Sequence, residues 1–168
     1  MGNKQQYIIV FGVSGSGKSL VSKMLAQHLN IEFLEGDDYH PTANINKMRA
    51  GQPLTDADRV SWLKTLRAEM FERIERKKAF VLSCSALKLM YRDFFRQVGA
   101  LKFIFLNVTG ESALRRLETR KDHFMPASLL GSQIATLETP LPNETDVITI
   151  DALQSPEKIL ATIMQNIN

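Results

Sequence analysis

The sequence predicts an α/β fold in which a parallel sheet of five strands is covered by helices on both faces. Short apolar runs alternate along the chain with stretches of helical apolar spacing, and parallel neighbours need helical crossovers that return on the same hand. The first apolar run ends abruptly in glycines and serines ahead of a lysine. No stretch is persistently rich in Pro, Gly, Ser or like charge, so the 168 residues read as one compact domain, residues 1–168, without a linker or internal repeat.

Taken in order, Tyr7 to Phe11 is apolar and β-branched and reads as a buried strand. Val21, Met24, Leu25 and Leu29 then recur at helical spacing. Ile31 to Leu34, Ala79 to Cys84, Leu101 to Val108 and Val147 to Ile150 are four further strands. Leu63, Leu66, Met70 and Ile74 mark a helix between the second and third strands, and Leu87, Met90, Tyr91, Phe94 and Val98 mark another after the third. Ser155 before Pro156 and Glu157 opens the last helix, which carries Ile159, Leu160, Ile163 and Ile167. In such folds ligands bind beyond the carboxyl ends of the strands.

Composition narrows the function classes. Hydrophobic residues make up 44% of the chain and charged residues 23%, enough apolar material for a real core. The net charge of +3 is spread among acids rather than massed, which argues against nucleic acid as a partner. Cys84 is a lone cysteine and cannot form an internal disulfide, and Met1 to Phe11 holds no apolar stretch long enough for a signal peptide or a membrane span. The expectation is a cytoplasmic protein with no membrane partner.

Gly12-Val-Ser14-Gly15-Ser16-Gly17-Lys18-Ser19 fits the phosphate-loop pattern G-x-x-x-x-G-K-S/T and sits after a strand and before a helix, where that pattern requires. Glycines let backbone N–H groups turn inward onto phosphate oxygens, and the helix adds the positive end of its dipole. Lys18 is the residue to reach the β and γ phosphates, and the Ser19 hydroxyl the one to ligate Mg2+. The chain lacks the N-K-x-D base-reading motif of GTPases, since Asn3-Lys4 and Asn46-Lys47 do not open it. It also lacks an aspartate closing the third strand, which runs through Ser83, Cys84 and Ser85. ATP is the expected donor.

Candidates for the acceptor side lie at the same edge. The second strand leads into Glu35, Asp37, Asp38 and His40, and a carboxylate among them can take or orient the proton of an attacking hydroxyl. Thr55 with Asp58 three residues on reads as a helix N-cap, whereas Arg59 opposes the dipole of that first turn and so points to an anionic ligand. Lys88 and Arg92, four apart, form a cationic pair after the third strand. Arg115, Arg116, Arg120, Lys121 and His123 concentrate cationic side chains before Pro126, a segment suited to closing over a triphosphate. His40 and His123 lack the spaced partners of a zinc site. Trp62 reads as core or as a pocket wall. These residues alone leave open a shikimate-type kinase, a nucleoside monophosphate kinase or a non-catalytic ATP-binding regulator.

Together, "GVSGSGKS", "GDDYHP", "NKM" with "GQPLTDADRVSWL", "CSALK" with "YRD", "RKDHFMP" and "QIATLE" resemble, in order, the gluconate kinase (gluconokinase) family of small P-loop kinases. The resemblance implies a three-layer α/β/α P-loop NTPase fold with strand order 2-3-1-4-5. It also implies a substrate-binding helical region over about residues 40–78 and a mobile lid over about residues 116–137. The implied activity is Mg2+- and ATP-dependent phosphorylation of D-gluconate to 6-phospho-D-gluconate. By the same resemblance Gly12, Ser14, Gly15, Ser16, Gly17, Lys18 and Ser19 hold the nucleotide, with Arg116 and Arg120 from the lid. Asp37 orients the 6-hydroxyl, His40, Arg59, Lys88, Arg92 and His123 face the sugar acid, and Asp37, Lys18 and Arg120 are the catalytic set. Asp122, Leu89 and Ile134-Ala135 depart from residues common in the family. Its members are commonly homodimers, which makes a homodimer an expectation here.

Overall fold

The computed structural model describes residues 5–120 and 126–167. Five parallel strands, β1 (Tyr7–Phe11), β2 (Glu32–Glu35), β3 (Phe80–Cys84), β4 (Lys102–Asn107) and β5 (Val147–Asp151), lie in the order β2-β3-β1-β4-β5. The helices are α1 (Lys18–Leu29), α2 (Thr42–Arg49), α3 (Asp56–Glu75), α4 (Leu89–Arg96), α5 (Gly110–Glu118), α6 (Leu130–Thr136) and α7 (Pro156–Ile167). Short 3-10 turns follow β2 (Gly36–Tyr39) and precede α6 (Ala127–Leu129). Strand order reverses at β1, so the loop leaving β1 opens into the crevice where ligands of open α/β sheets bind.

The period of two along each strand assigns its residues to two cores. Ile9 and Phe11, Phe80 and Leu82, and Phe103 and Phe105 meet Trp62, Leu66 and Met70 of α3 with Tyr91 and Phe95 of α4. Ile8 and Val10, Val81, and Ile104 and Leu106 meet Val21 and Leu25 of α1 with Ile159 and Ile163 of α7. Both faces of β1 are thus covered, which explains why its sequence is an unbroken apolar run rather than an alternating one.

Each of the five apolar runs becomes a strand, shifted by about a residue at its ends. The Thr55 cap closes as a full capping box: Asp58 N–H donates to Thr55 Oγ1 at 3.1 Å, and Thr55 N–H donates to Asp58 Oδ2 at 2.8 Å. Ser155 Oγ accepts from Lys158 N–H at 3.3 Å at the start of α7. α2 and α6 are elements that apolar spacing did not reveal, since each is short and buries a polar residue, Asn44 or Gln133.

The pairing of Lys88 with Arg92 as ligand-facing cations is corrected by the structure. Lys88 is the N-cap of α4, whereas Arg92 is fully buried one turn later. All five guanidinium donors of Arg92 are used: Nε and Nη2 reach Glu144 Oε1 and Oε2 at 2.8 and 3.0 Å, Nη1 reaches the carbonyls of Ala86 and Leu87, and Nη2 also reaches that of Glu138. Arg92 is therefore spent on the fold. It holds the β3–α4 loop, where buried Ala86 takes a positive φ of 39°, a strained conformation for a residue with a Cβ.

Burial pushes the Glu144 carboxyl up, but hydrogen bonds from Arg92 and Arg96 outweigh it and hold the group at about 2. Arg92→Met is expected to cost about 3 kcal/mol in urea unfolding, because Glu144 loses its buried partner. Arg92→Met combined with Glu144→Leu should recover much of that. A single-variant loss below about 1 kcal/mol would contradict this role.

Candidate functional site

The site grows from the turn out of β1. Gly15 (φ +82°) and Gly17 (φ +86°) take left-handed conformations, and a Cβ on Gly15 would lie 2.5 Å from the carbonyl oxygen of Ala113 in α5. Only glycine allows the loop to pass that close while turning toward the N-terminus of α1. Gly17 is the N-cap of α1 and offers no side-chain cap, which leaves the amides at this helix end for an anion.

Lys18 opens α1 and enters the cleft beyond the sheet, with Nζ 3.4 Å from the Val13 carbonyl. Burial pulls its pKa below the ordinary lysine value, and the Asp37 and Glu35 carboxylates offset part of that. Ser19 Oγ donates to Glu35 Oε2 at 2.6 Å. Burial raises the Glu35 pKa against that hydrogen bond, and Glu35 Oε1 is buried without a hydrogen-bond partner. Among the described residues no group of three or more His, Cys, Asp or Glu side chains could hold a metal ion alone. The Ser19 and Glu35 oxygens form a hard donor pair that fits Mg2+ shared with phosphate oxygens.

One cleft is lined by Ser14, Gly15, Gly17, Lys18 and Ser19 of the phosphate loop together with Asp37, His40, Arg59 and Trp62. Asp37 is placed by the 3-10 turn after β2. The His40 ring stacks on Trp62 with centroids 4.4 Å apart and planes 9° from parallel, and Trp62 Nε1 donates to the Gly36 carbonyl at 2.8 Å. Both readings of Trp62 hold, since it is buried in the core and also lines the cleft. Arg59 is buried, with Nη1 donating to Tyr91 Oη at 3.2 Å.

Tyr91 in turn donates to Asp56 Oδ1, and Lys88 Nζ donates to Asp56 Oδ2 at 2.9 Å. Lys88 sits at the far end of this relay and does not line the cleft. Arg116 clamps the back of the loop, with Nη1 donating to Ser16 O at 3.1 Å and Nη2 to Ala152 O at 2.7 Å. Arg116 and Arg120 border a second cleft with Leu20, Val21, Pro156 and Ile159, and Arg120 also borders the first. Gly12 lies behind the loop, where a Cβ would come 2.9 Å from Leu106 O. His123 lies outside the described residues.

Other lining residues escaped sequence reasoning: Met48, Pro53 and Leu54 around α2, Ser85 after β3, and Leu129, Ser132 and Gln133 before and on α6. Apolar and small side chains carry no chemical signature, and the signal for Gln133 was limited to its place in "QIATLE".

Burial pulls His40 down to about 4, with Asp37 opposing and Arg59 reinforcing the shift. Between that value and the ordinary 6.5 the unfolded chain binds the proton and the native state does not. Stability is therefore expected to fall as pH drops through that window. His40→Phe, which keeps the stack, should lose that component in denaturation curves taken from pH 7 to about pH 4. Parallel pH slopes for the two proteins would refute the assignment.

Residues 14–168 match the shikimate kinase family model. The gluconokinase of Gluconobacter oxydans (strain 621H) is 42% identical over 99% of this chain and 93% of its own length. A solved gluconokinase from Sinorhizobium meliloti 1021 superposes with a TM-score of 0.83 at 40% identity, covering 97% of each chain. A sugar kinase from Janibacter sp. HTCC2649 superposes with a TM-score of 0.90 at 39% identity, covering 96% of this chain and 94% of its own. On this similarity, carried over nearly the full length of the chain, the protein belongs to the shikimate kinase family and, within it, to the gluconokinases.

Proposed function

We propose that the protein transfers the γ-phosphoryl group of ATP to the 6-hydroxyl of D-gluconate, giving 6-phospho-D-gluconate and ADP. The observation that carries this reading is the shared cleft: Lys18 of the phosphate loop and Asp37, His40 and Arg59 of the acceptor wall line one cavity. A donor anion and a polyhydroxy acid need such a juxtaposition, because most of the rate of phosphoryl transfer comes from positioning and charge.

Gly15, Gly17 and the N-terminus of α1 cradle the phosphates, and Lys18 places its ammonium on them. Ser19 and Glu35 would hold Mg2+, which when bound neutralises phosphate charge. Asp37 accepts the hydrogen bond of the attacking hydroxyl and aligns it. Arg59 takes the carboxylate of the sugar acid, its planar fork being suited to that anion, and the His40–Trp62 stack gives the carbon skeleton a flat wall. Arg116 and Arg120 flank the donor side, residues 116–137 act as a lid that excludes water, and His123 contributes to binding the acceptor. Lys88 acts on Arg59 through Asp56 and Tyr91 rather than on the acceptor. A cytoplasmic setting and a homodimer complete the proposal, the first because the donor is ATP and Cys84 is a free buried thiol.

ADP release measured in parallel with gluconate, other sugar acids, shikimate and AMP tests the acceptor. Gluconate should be preferred; preference for AMP or shikimate, or no acceptor-dependent release, overturns the reading. Asp37→Asn is expected to lower turnover by about 100-fold or more while sparing ATP binding. Lys18→Met should abolish transfer, and either variant turning over at the wild-type rate would remove that residue from the mechanism.

A further inference from the structure

Two side chains from elsewhere in the fold reach the backbone of the phosphate loop by opposite chemistry. Arg116 donates to the carbonyls of Gly15 and Ser16 on the back of the loop. Gln133 does the reverse: its Oε1 accepts from the Ser14 N–H at 2.6 Å, across 119 residues of sequence. Inward-turned amides of such a loop are its phosphate ligands, so the carboxamide oxygen lies at the edge of the anion nest. Ser14 and Gln133 are both buried, and both line the cleft that holds Asp37 and Arg59.

The helix that carries Gln133 is itself held on the side away from the cleft. Leu130 packs with Val13 of the phosphate loop and with Ala113 and Leu117 of α5. Just past the helix, Glu138 N–H donates to Leu87 O at 2.8 Å and Glu138 Oε2 accepts from Leu89 N–H at 2.6 Å, which joins α6 to the β3–α4 loop. α6 thus bridges the donor loop and the β3–α4 loop, whose Ser85 lines the same cleft as Asp37 and Arg59, and Gln133 is where it grips the donor loop.

We infer that Gln133 is a positioning residue for phosphoryl transfer, fixing the Ser14 end of the phosphate loop relative to the acceptor wall so that phosphate and hydroxyl meet in line. This rests on the kinase reading above. The choice of residue follows from chemistry. A hydrocarbon at 133 would leave a buried N–H without its acceptor, and a carboxylate would place a negative charge beside the phosphates.

The test compares wild type, Gln133→Met and Gln133→Glu for ADP release, phosphogluconate formation and thermal midpoint. Gln133→Met keeps the length without the acceptor, and should lower kcat about 10- to 100-fold while the KM for gluconate stays within about threefold. More than one ADP should appear per phosphogluconate, as water captures phosphate that is no longer aligned with the acceptor. Gln133→Glu keeps an acceptor for Ser14, so it should retain more of kcat and lose affinity for ATP, with the KM for ATP raised about tenfold.

A folded Gln133→Met enzyme with kcat within about twofold of wild type overturns the inference. So does a loss of kcat that only tracks the loss of folded protein with one ADP per phosphogluconate. If Gln133→Met does not fold, Gln133→Glu decides, an unchanged KM for ATP counting against the inference. Should the wild type prefer another acceptor, the gluconate reading fails on its own. The variants are then read with that acceptor by the same criteria.

Discussion

The turn from β1 into α1 is the constraint around which the rest of this molecule is arranged. A loop whose amides point inward has no room for side chains on its concave side and little on its back, where Gly15 passes against the backbone of α5. β1 must therefore be the central strand, buried on both faces, to hold such a turn rigid, and α1 must begin immediately after it to contribute its dipole. The placement of α5 follows from the same contact: Ala113 lies against Gly15, and Arg116, one turn later, grips the loop carbonyls. A side chain at position 15 would push these elements apart and leave the phosphates without a fixed seat.

Charge in the cleft is balanced by burial rather than by simple pairing. The Lys18 ammonium loses solvation and is compensated by Asp37 and Glu35, while Glu35 is itself pushed up by burial. His40 is held neutral by desolvation against its aromatic neighbour, so it enters the acceptor wall as a hydrogen-bonding ring rather than as a cation. Arg59 supplies the positive charge there. Lys18 and Arg59 thus bring two cations to one cleft, and in the proposed transfer they offset the charge of the two anions that must meet there.

A second network, buried at Arg92 and Glu144, supports this arrangement from behind. Arg92, Glu144 and Arg96 tie α4 to the segment before β5, and Arg92 reaches onward to the carbonyls of the β3–α4 loop. That loop presents Ser85 to the cleft, and it accepts the segment that follows α6. Because every donor of Arg92 is used, the network orders the cleft without entering it.

The sequence by itself determined the layered architecture and the donor half of the site. Strand and helix periods are local properties, and the glycine spacing that makes a phosphate cradle is written within eight consecutive residues, Gly12 to Ser19. Asp37, His40 and Arg59 were legible as well, because each carries a side chain whose chemistry is conspicuous at the end of a strand or the start of a helix. What only the tertiary structure decided is how the remaining polar groups divide between ligand and fold. Arg92 and Lys88 look alike at helical spacing, yet Glu144, far away in sequence, claims one and Asp56 the other. Gln133 reads as an ordinary helix residue until α6 packs against α5 and brings its carboxamide to the Ser14 amide. A charged or polar side chain answers to its nearest partner in space, and that partner is set by packing between elements that local sequence does not specify.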